Sequence, residues 1–247
     1  EHLGWYTKMP AMVRETLSQN GALMAVPTGI HRVNWLWLNR KLFDEQGLTP
    51  PTDWNQFVAV AERLKAHNIT PLAIGNEPWQ LAVLFETVAL GEGGKEFYRK
   101  AFLEQDSATL TGPDMVRVLT RFQQLRAYVP QKYAGLKWHQ ATNLLESGGA
   151  AMQVMGDWVK GELSAGNYRP GEVIACLPSP GSAGLFSYNL DSIAMFKQRD
   201  PAQLQAQGDL AQLLMTPKFQ EAFNRVKGSI PALTNPDLRS GTEVVFR

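Results

Sequence analysis

The chain has 247 residues, of which 24 are basic and 23 acidic for a formal net charge of +1, and 44% are hydrophobic. That length suits one large domain or two lobes with a sizeable core, and aliphatic patterning throughout excludes an intrinsically disordered chain. The near-neutral balance, without a run of like charges, offers nothing to nucleic acid or to an anionic membrane surface; no apolar run approaches the roughly 18 residues that span a bilayer; and the single cysteine, Cys176, excludes an internal disulfide or a thiolate metal cluster.

Met9 to Asn20 reads as a helix, with Pro10 tolerated in its first turn and Gly21 beyond its end. Leu23 to Val26 follows as a short strand. In the strand Asn34 to Asn39, Trp35 and Trp37 alternate with Leu36 and Leu38, so the two tryptophans share a face. Thr52 is the predicted cap of a helix in which Phe57, Val60, Ala61 and Leu64 recur at helical spacing, and Pro71 to Gly75 reads as another strand. Helices are expected over Trp79 to Leu90, Glu96 to Leu103, Asp114 to Ala127 and Trp138 to Ser147, with the loop Gly91 to Gly94 separating the first two. Strands at Ala150 to Met155, Glu172 to Leu177 and Asn189 to Phe196, then helices at Pro201 to Met215 and Pro217 to Val226, complete the pattern. Strands alternating with helices predict an α/β fold with a largely parallel sheet. Two stretches rich in proline and glycine, Val26 to Gly29 and Pro178 to Gly184, are candidate connections between lobes, and Lys227 to Pro231 is a third.

The four histidines, His2, His31, His67 and His139, fall at no metal-ligand spacing, so no metal is expected. Nucleophile-elbow, phosphate-loop and dinucleotide motifs are lacking, and no cofactor is implied. The segment Ala150 to Leu163 carries more information. There an apolar strand runs through Gly156, Asp157 and Trp158 into a helix, which delivers an aromatic and a carboxylate to a strand's carboxyl end, where open α/β sheets bind ligands. Trp138 opens an earlier helix. Two flat apolar faces suit a pyranose, although packing in the core is the plainer role for each tryptophan. Asp191 interrupts a strand, where aspartate is disfavoured, and sugar hydroxyls would supply the donors it needs; otherwise it is a solvated residue at the strand's start. Lys227 is a hydroxyl donor or simply a cation at a helix C-terminus. His31, Arg32 and Asn34 either contact ligand or secure the nearby connection. Trp5, Trp54 and Trp79 read as packing residues, Asp44, Glu45, Glu62 and Lys65 as solvated helix faces, and Cys176 as a small buried apolar side chain or the partner of a cysteine outside the chain.

The run Val26 to Phe43, VPTGIHRVNWLWLNRKLF, followed by Pro50-Pro-Thr-Asp-Trp54, the AAMQVMGDW segment, the LPSPG turn and the strand with Asp191, together resemble family 1 of the extracellular solute-binding proteins, among which the Gram-negative glucose-binding proteins are most similar. The resemblance implies a periplasmic-binding-protein-like two-lobe α/β fold with hinge strands. On that pattern 1–27 and 178–229 form a partial first lobe, 28–177 the second lobe, and 230–247 a return toward the second. Trp138 and Trp158 would stack on the sugar, Asp191 would accept from its hydroxyls and Lys227 would donate to them, with His31 and Asn34 as weaker transfers. A leading segment before Glu1 and closing helices after Arg247, usual in the family, are expected to be lacking, which would leave apolar surface on the first lobe exposed. The implied protein is a monomeric periplasmic receptor that carries a monosaccharide, glucose or a near epimer, to a membrane ABC transporter permease by hinge closure and without bond chemistry. It would engage no nucleic acid and insert into no membrane. The alternatives are a glycoside hydrolase using Asp157 and Asp191 as paired carboxylates, and a sugar-sensing or scaffold protein.

Overall fold

The structure, a computed structural model, describes residues 4–133, 135–166 and 173–233. The chain divides into two compact units: a terminal unit takes Glu1–His31 and Tyr188–Arg247, and a middle unit takes Arg32–Ser187. The sequence expectation for 230–247 falls mostly on 234–247, outside the described residues.

The terminal unit opens with α1 (Trp5–Lys8) and α2 (Ala11–Leu17). The second helix ends before Asn20 because Ser18–Gln19 forms β1 and pairs antiparallel with β2, Ala22–Leu23. Between them Asn20 and Gly21 both take positive φ, 52° and 78°. An Asn-Gly pair in that conformation is the favoured two-residue hairpin turn, and it outcompetes a last turn of helix. Next comes β3, Ala25–Arg32, buried at every position but the first. It runs straight through Val26 to Gly29, which is therefore strand rather than a loop.

The middle unit begins with β4, Trp35–Asn39, buried throughout. Asn39 caps α3 (Arg40–Glu45) by accepting from Leu42 N. The cap of α4 (Trp54–Ala66) is Asp53, whose carboxylate accepts from Gln56 N at 2.8 Å, and not Thr52. Thr52 instead donates its N–H and its hydroxyl to the Gln56 side chain. Pro71 to Gly75 is buried but makes only one isolated parallel bridge, Leu72 with Met152. The long helix α5 (Pro78–Tyr98) continues through Gly91 to Gly93 and breaks only at Gly94, whose φ of 77° is open to glycine. A π-helical turn, Arg99–Leu103, follows, then α6 (Ser107–Leu110), which hydrophobic periodicity is too short to reveal and which Asp106 caps. Next are α7 (Pro113–Leu125), α8 (Trp138–Glu146), β5 (Met152–Met155), α9 (Trp158–Ala165) and β6 (Ile174–Pro178). The chain then re-enters the terminal unit through β7 (Tyr188–Ala194), α10 (Pro201–Leu214) and α11 (Pro217–Lys227).

The sheet of the middle unit has the order β5–β4–β6, and β4 is antiparallel to both neighbours. The largely parallel sheet expected from the alternation is corrected here for a topological reason. Strands β5 and β6 run parallel to each other and are joined through α9, so a βαβ crossover is present, but β4 is inserted between its two strands.

Strand alternation sorts the core of this unit. Leu36 and Leu38 point into a large cluster with Trp54, Phe57, Leu64, Leu84 and Val118. Trp35 and Trp37 enter a second cluster with Leu145, Met155, Val159, Leu163 and Ile174. A one-residue slip of β4 would exchange the two sets, so both faces enforce the same register.

In the terminal unit, β3 pairs with β7, and Ile30 exchanges two backbone hydrogen bonds with Ile230, each 2.8 Å. Val26 and Ile30 pack with Met9, Val13, Leu214 and Met215. Two buried amides of α11 secure β3. Gln220 Nε2 donates to Pro27 O and Leu214 O while its carbonyl accepts from Ala232 N; Asn224 Nδ2 donates to Thr28 O at 2.8 Å and its carbonyl accepts from the Ser229 hydroxyl. Large apolar side chains of this unit remain exposed, among them Phe196, Leu204, Leu213 and Val226. Because Asn224→Ala leaves the buried Thr28 carbonyl and Ser229 hydroxyl short of a partner, we predict a loss of about 2–3 kcal/mol of stability, read as a lower midpoint in urea with the slope unchanged.

Candidate functional site

The middle unit builds an aromatic wall at the end of β5. Trp37 Nε1 donates to Met155 O at 3.0 Å, which ties the last residue of β5 to the central strand. The chain then passes Gly156, where an added Cβ would lie 2.2–2.6 Å from three atoms of the Trp158 six-membered ring. The indole therefore lies back across Gly156, and no larger residue fits beneath it. Val159 and Leu163 bury the inner face of α9 and hold Trp158, half-buried, at its first turn.

Asp157 does not cap its own helix with its side chain. It is buried, its Oδ2 accepts from Arg32 N at 2.9 Å, and its own N–H donates to Arg32 O at 3.0 Å. This reciprocal pair locks the start of α9 to Arg32. The Arg32 guanidinium lies 3.8 Å from the Trp35 ring centroid and donates to Asn34 Oδ1 and Leu185 O. Burial pulls the guanidinium below its ordinary pKa, against the opposing field of Asp157. Burial also lowers Lys160, one turn into α9, again opposed by Asp157.

Trp138 starts α8 and is half-buried against the same cluster as Trp158. Its carbonyl accepts from Gln153 Nε2 at 3.2 Å, and Gln153 in turn accepts from the Thr142 hydroxyl, so a buried glutamine on β5 sets where α8 begins. Trp79 is a further member. It stands in the first turn of α5, is 40% exposed, and its ring centroid lies 6.1 Å from that of Trp158 at an inclination of 60°. Trp79, expected from the sequence to be a packing residue, packs against Trp158 and keeps part of its surface exposed. The turn that carries it is pinned by Gln80, which accepts from Gly75 N and donates to Leu136 O and Glu77. One signal in the sequence could have shown this exposure: Trp79 stands in the first turn of its helix, directly after Asn76-Glu-Pro78, where a helix leaves the apolar stretch Pro71 to Gly75 behind.

The terminal unit gathers three more of the expected residues. His31 Nε2 and Lys227 Nζ lie 3.2 and 3.3 Å from the same oxygen of Asp191, and Asn189 donates to the other oxygen at 3.0 Å. His31 is buried on β3, Lys227 ends α11 before the left-handed Gly228, and Asp191 is partly exposed on β7. Asp191 is therefore an oriented carboxylate held between cationic and amide groups, with acceptor capacity left for hydroxyl donors. Asn34 sits differently. Fully buried in the middle unit, it accepts from Arg32 Nε and Ser187 N and donates to Ser182 Oγ and Leu185 O, which fills all four positions of its amide.

Cys176, on β6 opposite Trp37, is free and packs beside the tryptophan cluster; burial pushes its thiol well above its ordinary pKa. Among the described residues no group of three or more histidine, cysteine, aspartate or glutamate side chains could hold a metal ion, and no helix is long and apolar enough to cross a membrane.

Residues 4–222 match the profile of the bacterial extracellular solute-binding proteins. A probable sugar-binding periplasmic protein of Brucella suis is 40% identical over 238 residues, which are 95% of this chain and 55% of that protein. Its counterpart in Rhizobium meliloti is 38% identical over 238 residues, 95% of this chain and 56% of that protein. The chain thus spans about half the length of the curated relatives it matches. A solved chitin oligosaccharide binding protein shares the fold with a TM-score of 0.80 at 20% identity, over 99% of this chain and 64% of that one. These relatives are receptors rather than enzymes, and the paired-carboxylate hydrolase alternative gives way to them. The chain belongs to the bacterial extracellular solute-binding proteins.

Proposed function

We propose that this chain is part of a periplasmic receptor that binds a neutral monosaccharide, glucose or a near epimer, and passes it to an ABC transporter permease. The observation that carries this reading is the half-buried Trp158 seated on Gly156, at a helix start locked by Asp157. A rigid aromatic face at the end of a strand stacks on the C–H face of a pyranose at little entropic cost, since the ring is already placed before the ligand arrives. Trp138 supplies further aromatic surface. Asp191 accepts from sugar hydroxyls, with Lys227 and His31 orienting its carboxylate. Asn34 acts as a positioning residue for the stretch Ser182 to Ser187.

Binding without bond chemistry is all this role requires: a ligand shifts a conformational equilibrium only by its differential affinity for the two states, so contacts completed on closure drive the closure that a permease recognises. The family resemblance and the periplasmic names of the relatives support the compartment and the partner; 1–27 with 178–229 and 28–177 remain the proposed lobes, working as a monomer.

Calorimetry with glucose, its epimers and an aryl glycoside tests the reading. Saturable heat without released product is expected, whereas turnover of the glycoside, or the lack of heat with every sugar, would discard it. Trp158→Ala is expected to weaken binding by about 2–3 kcal/mol, or roughly thirty- to a hundredfold, through lost area and lost stacking. Gly156→Ala should weaken it in the same direction by displacing the ring, and equal affinity in that variant would show that the seat of the indole is irrelevant. For Asp191→Asn, the loss of charge-assisted hydrogen bonds predicts about 1.5–3 kcal/mol less binding energy in the same titration. Asn34→Ala should lower the denaturation midpoint, by about 2–3 kcal/mol of stability, because several buried groups lose their partner.

A further inference from the structure

We infer that Trp79 is the specificity wall of the aromatic corner and selects sugars that carry an exocyclic C6 carbon, hexoses over pentoses. The inference rests on the sugar-binding reading and deepens it. All seven tryptophans lie within the described residues, and Trp79 is the one that is exposed, at 40%. An exposed indole covers no core, yet this one is held in place: Pro78 opens its helix, Gln80 fastens the first turn to Gly75 and Leu136, and the neighbouring Trp158 lies 6.1 Å away at 60°.

That inclination decides what each ring can touch. A pyranose is nearly flat, so a sugar stacked on Trp158 cannot also stack on a ring tilted by 60°; the second ring meets the rim of the sugar instead. Around the rim of a neutral aldopyranose the substituents are hydroxyl groups, which an indole face recognises poorly, except at C5. There an aldohexose carries a methylene and a pentose carries only hydrogen. The C6 carbon is the one rim group whose burial against an aromatic face is favourable, and its removal from water is worth about fourfold in affinity.

The test is calorimetry on the full chain and its Trp79→Ala and Trp79→Phe variants with glucose, 6-deoxyglucose and xylose, with unfolding temperatures measured in parallel. The expected result is that Trp79→Ala lowers the ratio of glucose to xylose affinity by about fourfold and the ratio of 6-deoxyglucose to xylose by a similar factor, while Trp79→Phe keeps both ratios near the starting values. Unchanged ratios in Trp79→Ala would overturn the inference and leave the sugar-binding reading standing. So would a 6-deoxyglucose response that follows xylose, since it would assign the effect to the O6 hydroxyl. Absence of binding by all three sugars to the unsubstituted protein would overturn both.

Discussion

The middle unit depends on one strand being buried on both faces. Strand β4 lies between β5 and β6 and directs its leucines into one apolar cluster and its tryptophans into another, so two cores share a single backbone. Its neighbours take their register from it, and the Trp37 indole reaches the carbonyl of the last residue of β5. The position of Gly156, and with it the start of α9 and the seat of Trp158, follows from that contact. Rigidity at the end of β5 therefore comes from the core beneath it, and the residues that seat the Trp158 ring are a glycine and an aspartate.

Two carboxylates that look alike in sequence have different work because their donors differ. Asp157 is buried and accepts from the Arg32 backbone N–H, a contact that closes a structural lock between two segments far apart in sequence. Asp191 stays partly exposed, with an ammonium and an imidazole on one oxygen and an amide on the other. Burying a carboxylate requires hydrogen-bond donors, and the lock supplies one to Asp157; partial exposure leaves Asp191 open to further donors. The terminal unit applies the same rule to its backbone, where β3 contains a proline and has its Pro27 and Thr28 carbonyls satisfied by two buried amides of α11.

Periodicity was legible wherever burial follows a simple repeat. The alternation of Trp35 to Leu38 and the helical spacing of Phe57, Val60, Ala61 and Leu64 appear in the structure as written, with each of these residues in the core. Local competition was harder to read. The Asn20-Gly21 turn shortened a helix, Asp53 outcompeted Thr52 as a cap, and Gly91 to Gly93 stayed helical because their own φ never needed to leave the helical range. Strand direction is not legible in the sequence for another reason: the insertion of β4 between β5 and β6 leaves no trace in the alternation of strands and helices.

The sequence by itself determined the family and the α/β class, and it showed the strand-to-helix turn at Gly156-Asp157-Trp158, because these rest on local order along the chain. Only the tertiary structure decided the partners. It joined Asp157 to Arg32 across 125 positions, brought His31 and Lys227 to one oxygen of Asp191, filled the amide of Asn34, and set Trp79 against Trp158. Contacts of that kind depend on where distant segments are packed, and a side chain's role follows from which donors and faces the packing places within its reach.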